Sequence, residues 1–198
     1  SLVNVSRILA IRVREFSQDE KAWLFYQEHI PGFVNALRLH LRPSLEVMPT
    51  APSDEDMASS IHVPNAWAQA MERDCAKRLA QGEWSPQQHW LLSQDLSRMV
   101  DILGACERIL KTPIPYSYSM FMKKFIFLYV VTLPLGFVNT FGWWAIPVVM
   151  LVFYILVSIE LIAEEIEDPF GVDENDLPLD SLCETIEANT REILTRQG

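Results

Sequence analysis

The chain has 198 residues, with 26 acidic against 16 basic side chains and a formal net charge of −10. That balance excludes a general nucleic-acid binder, which needs a basic face for phosphate. Cys75, Cys106 and Cys183 are scattered, without C-x-x-C or His/Cys ligand spacing; this excludes a zinc motif and predicts reduced, partly buried thiols.

The opening segment places Leu2, Val5, Ile8, Leu9 and Phe16 at helical spacing, with Arg7 and Arg14 off the stripe. It is amphipathic and does not read as a signal peptide. Ser17 with Glu20 three residues on forms the capping-box pattern for a second helix, which Pro31 should break or kink. The helical period resumes over "GFVNALRLHLR". "PSLEVMPTAPSDEDMASS" then reads as an exposed loop. A third helix is expected from Pro64 to about Ala80, with the proline at N1. Ser85, Pro86 and Gln88 make a capping box for a fourth helix. Leu92, Leu96, Met99, Leu103, Cys106 and Leu110 follow along one face until "KTPIP" stops it.

From Phe125 to Ile159 there is no Asp, Glu, Lys or Arg. The run is too long for one crossing of about 20 residues, and Pro134, Gly136, Asn139 and Gly142 supply turn formers near its middle. A transmembrane helical hairpin over 120–162 is therefore expected, with Phe141, Trp143 and Trp144 as an interfacial belt. A hairpin buried in a soluble core is the competing reading. Lys123 and Lys124 put that mouth in the cytoplasm by the positive-inside rule, and a hairpin returns its other end to the same side. The expected fold class is all-α: an integral membrane protein with a cytoplasmic helical region over 1–119 and an acidic turn and last helix over 163–198. Asp180 is the expected N-cap of that helix, with Leu182, Ile186, Ile193 and Leu194 on its face.

Eight acidic residues lie between Glu160 and Asp176. They read either as a solvated helix end or as a cation site, since clustered carboxylates and free carbonyls in a turn suit Ca²⁺. The Gly and closing Glu of an EF-hand are missing. No catalytic constellation appears: His29, His40, His62 and His89 lack H-E-x-x-H spacing and read as surface or core residues, and no G-x-S-x-G elbow exists.

"AEEIEDPFGVDENDLPLD" after one apolar arm and "GACERILKTPIPYSYS" before the other resemble the bestrophin family, especially its bacterial members. The resemblance covers essentially the whole chain. It implies a helical, five-fold channel in the cell membrane that passes chloride and other small anions, with further copies of itself and the lipid bilayer as partners. The family's first two membrane segments precede the region equivalent to Ser1, so this chain is expected to be without them and without the hydrophobic neck. Eukaryotic members hold Ca²⁺ at the P-F-G turn. By motif, Asp173 and Asp176 match carboxylate ligands, and Glu165 and Asp168 match positions that give backbone carbonyls. Val172 and Asn175 depart from acidic positions. A second pore constriction falls at about Gln87 and Gln88, where a helix start with a capping Gln is the competing reading. A membrane-anchored scaffold that conducts nothing is the alternative function.

Overall fold

The computed structural model describes residues 1–42, 62–112, 115–167, 169–171 and 176–195, and these contain helices and turns but no strand. The helices are α1 (Leu2–Phe16), α2 (Glu20–Leu41), α3 (Val63–Ala80), α4 (Pro86–Lys111), α5 (Tyr116–Phe141), α6 (Ala145–Glu167) and α7 (Leu179–Thr195). They form two compact units, Ser1–Arg108 with Pro178–Gly198, and Ile109–Leu177. The last helix thus rejoins the first unit. The loop expected over 43–60 lies outside the described residues.

In the first unit α2 is central and packs against α1, α3 and α7, while α1 also meets α7. Its inward face carries Tyr26, Ile30, Phe33 and Leu37, all buried together with Leu9, Val13, Met71, Trp84, Leu92, Met99 and Ile186. Each such side chain contributes about 1.5–3 kcal/mol on burial. That magnitude explains why α2 runs through Pro31 instead of breaking. A proline inside a helix costs about 3 kcal/mol, and the flanking Ile30, Phe33 and Val34 are all buried.

Three local expectations are corrected. The buried stripe of α1 is Ser6, Leu9, Ala10 and Val13, with Ile8 and Ile11 turned outward. This places Arg12 beside α4, where its guanidinium donates to the Leu91 carbonyl (3.1 Å) and to the fully buried Asp95 (2.6 Å). The N-cap of α2 is Asp19 rather than Ser17, accepting from the Lys21 N–H at 3.0 Å. Ser17 works at the corner instead: its hydroxyl accepts from Asp19 N–H and its carbonyl from Trp23 Nε1. Asp180 is in the first turn of α7 and spends its carboxylate on Arg38 of α2 and on Arg42, the C-cap of that helix. Arg38, then Arg42, hold that carboxyl below its usual range. The buried face of α7 is Leu179, Ile186, Thr190 and Leu194, with Leu182 and Ile193 half-buried.

The thiols fit their expectation. Cys75 is buried and the other two half-buried, none in a disulfide. Burial pushes Cys75 up to about 12 and Cys183 up to about 11. Such thiols are poor nucleophiles.

Gly32 faces Trp67 of α3 so closely that a Cβ there would lie 2.6 Å from a ring carbon. The ring is buried and has His29 edge-on at 5.1 Å, so it has little room to withdraw. Gly32→Ala gains about 1 kcal/mol of helix propensity but overpacks a core at a cost of about 1–3 kcal/mol. A net loss in thermal stability is expected for Ala and a larger one for Val, measured by melting in detergent. Trp67→Leu in the Gly32→Ala background should recover part of the loss.

Candidate functional site

The second unit is built on α5 and α6, which pack on each other across a 3-10 turn at Gly142–Trp144. The hairpin is as expected, but its turn is not in the middle of the proline- and glycine-rich stretch. Helix α5 continues through Pro134, Gly136 and Asn139, and only Gly142, at φ 52°, ends it. The physical reason is the apolar surroundings. Leaving the helix at Pro134 would strand several backbone groups away from water, each costing several kcal/mol, whereas continuing loses one hydrogen bond.

The stretch Ser117–Ile166 reaches a mean hydropathy of 2.5, and only 6% of that apolar window is buried. Phe127 and Leu135 on α5 and Tyr154 on α6 are 70%, 74% and 70% exposed, and Trp143 at the turn is 87% exposed. Soluble monomers rarely present so continuous an apolar surface. Lipid or another apolar chain is its proper neighbour.

Charge returns at the other end of the arms. Lys123 of α5 reaches Glu160 (3.3 Å) and Glu164 (3.2 Å) of α6, one turn apart. Two acids of the cluster thus serve as a clasp between the arms. The chain then turns at Pro169–Gly171, closed by Leu177 N–H donating to the Pro169 carbonyl at 3.0 Å, with Phe170 buried. Of the calcium candidates, Glu165 stands exposed near the end of α6 and Asp176 is half-buried just before Leu177. Asp168 and Asp173, like Val172 and Asn175, lie outside the described residues.

Gln87 and Gln88 occupy the first turn of α4 in the first unit. Gln88 completes the capping box: its side-chain oxygen accepts from Ser85 N–H (2.8 Å), and Ser85 Oγ accepts from Gln88 N–H (3.3 Å). Gln87 is exposed. The helix-start reading therefore holds for Gln88, and it leaves the side chain of Gln87 open to solvent.

Two polar clusters escaped the sequence reading because each is completed by a member far away in the chain. Arg78, buried at the end of α3, donates to Asp74, to Asp19 at the start of α2 and to Glu83 in the following turn, at 2.8, 3.1 and 2.7 Å. His40 and His62 both face Glu107. Only the i,i+4 spacing of Asp74 and Arg78 was visible as a sequence signal.

Two apolar helical arms with their charges drawn to one end, in a chain whose other unit is also helical, define an all-α membrane protein. Residues 1–192 match the family described as Bacterial/Fungal Bestrophin protein; the chain belongs to the bestrophin family. A voltage-dependent anion channel-forming protein of Nostoc is 49% identical over 98 residues, 50% of this chain and 32% of that one. The voltage-dependent anion channel-forming protein YneE of Salmonella typhimurium is 30% identical over 191 residues, 94% of this chain and 63% of its own length. The chain thus spans between about a third and two thirds of these relatives. A solved bacterial bestrophin homologue from Klebsiella pneumoniae has the same fold, with a TM-score of 0.90 at 24% identity over 98% of this chain and 75% of that one.

The clasp gives a measurable coupling. Lys123→Met should lower the melting temperature in detergent, because Glu160 is left as a largely covered carboxylate without its partner. Glu160→Gln in that background should restore part of it. A double-mutant cycle should return a coupling of about 0.5–1 kcal/mol.

Proposed function

We propose that this chain serves in a pore-forming subunit of a bestrophin-like channel that passes chloride and other small anions. The observation that carries the reading is the hairpin of α5 and α6, whose bulky apolar side chains are exposed along both arms while acid and base are confined to one end. Family membership over nearly the whole chain supports it, as do relatives named anion channel-forming proteins. The subunits assemble as a homopentamer in the inner or plasma membrane, with the hairpin in the bilayer and both chain segments flanking it in the cytoplasm. In this arrangement Gln87 lines a polar constriction around the pore axis, with Gln88 behind it as the cap of α4. By the family motif, Glu165, Asp168, Asp173 and Asp176 would offer oxygen ligands to Ca²⁺.

Chloride efflux from liposomes holding the purified protein tests the channel, and native mass spectrometry tests the pentamer. Efflux without five-fold assembly, or five-fold assembly without efflux, would each break the proposal in a different place. Gln87→Glu leaves the capping box of Ser85 and Gln88 in place and sets a ring of negative charge at the constriction. It should reduce anion efflux several-fold without lowering the melting temperature. A variant as permeable as the parent would remove that constriction.

Orientation is read by labelling. Asn139 and Thr140 sit exposed near the end of α5. Cysteines placed there, with native thiols replaced, should react with a membrane-impermeant reagent from outside intact cells only. Labelling from the cytoplasmic face would reverse the topology.

A further inference from the structure

We propose that His40, His62 and Glu107 form a binding site for a divalent transition cation of the zinc type, which joins three helix ends of the first unit. His40 is in the last turn of α2, His62 caps the start of α3, and Glu107 projects from the final turns of α4. Their ligand atoms lie within 4.8 Å of one another. His40 Nε2 is 2.9 Å and His62 Nε2 2.6 Å from the same Glu107 oxygen, and the two rings are 4.5 Å apart. All three side chains are half-buried, partly shielded from water but within reach of an ion.

Two imidazole nitrogens and one carboxylate oxygen are the donor set that borderline-soft cations prefer, whereas Ca²⁺ and Mg²⁺ favour oxygen alone. A tetrahedral ion with bonds of about 2.0–2.1 Å spaces its ligand atoms about 3.3 Å apart. The two N···O separations therefore have to widen by about half an ångström, which rotation of three half-buried side chains supplies. A carboxylate donates no hydrogen, so each Nε2 facing it carries one. Coordination displaces these hydrogens, so that each bound ring carries its hydrogen on Nδ1. For His62 that ends the bond its Nδ1 accepts from Asn65 N–H, which at 3.3 Å is a long one. Three protein ligands leave a fourth position for water.

The site ties the end of α2 to the start of α3, the two helices that border residues 43–61, and fixes both to the helix that precedes the first apolar arm. It uses none of the acidic-turn residues and does not depend on the channel reading, and its test needs no conductance.

The full chain is purified in detergent, stripped with a chelator and titrated with Co²⁺, whose visible absorption reports tetrahedral nitrogen and oxygen ligation. The expected result is one Co²⁺ per chain, displaced by Zn²⁺ and not by excess Ca²⁺. His40→Ala and Glu107→Gln should weaken binding at least tenfold. His62→Asn should do the same while retaining an N-cap residue for α3, so it gives the answer if the other variants fold poorly. His89→Ala, elsewhere on α4, should bind as the parent does. A parent without the visible bands, or a His62→Asn variant that binds Co²⁺ unchanged, would show the three groups to be a hydrogen-bonded bridge only.

Discussion

A stretch with no ionisable Asp, Glu, Lys or Arg from Phe125 to Ile159 has to satisfy every backbone amide within itself, because neither charge nor water is at hand to do so. Helix is the form that does this for a single segment, and the rest of the second unit follows. Pro134 and Gly136 are carried inside α5, since interruption costs more than continuation. The reversal is deferred to Gly142, whose positive φ suits glycine. The charges are drawn to one end, where Lys123 meets Glu160 and Glu164.

The first unit works under the opposite condition, with acidic and basic side chains spread along its whole length. Its arginines are placed between helices. Arg12 joins α1 to a fully buried Asp95 on α4, and Arg38 and Arg42 join α2 to Asp180 on α7. Burial still raises the Asp95 carboxyl above its usual range despite Arg12 beside it, so desolvation outweighs the pair. An apolar pair of the same shape could be as stable.

The sequence made the helices legible, and the hairpin above all, because a charge-free run and a 3.6-residue period are local signals. The capping box at Ser85 and Gln88 formed as read for the same reason. The face of α1 was off by part of a turn, with Ile8 turned outward, whereas Ile186 and Leu194 of α7 are buried as read: hydrophobicity alone does not reveal that Arg12 must point at Asp95 or Asp180 at two arginines. Ser17 lost the capping role to Asp19 because both residue types can cap, and the Trp23 indole claimed the Ser17 carbonyl. The grouping of His40, His62 and Glu107 was beyond reach, since their separations of 45 and 67 residues carry no spacing rule. Half of the acidic-turn candidates lie outside the described residues.

Arg78 has a consequence for how this fold tolerates change in chain length. Its fork grips the first residue before α2, its own helix and the turn into α4 together, and the turn itself passes through Gly82 at φ 77°. Residues 81–85 therefore have one workable length: an added residue would swing Glu83 away and rotate the start of α4 by about 100°. Lysine could not substitute, having a single charged tip where three carboxylates need separate N–H directions. In a lineage of such chains, insertions would be filtered out at this corner long before they were filtered out of an ordinary surface connection.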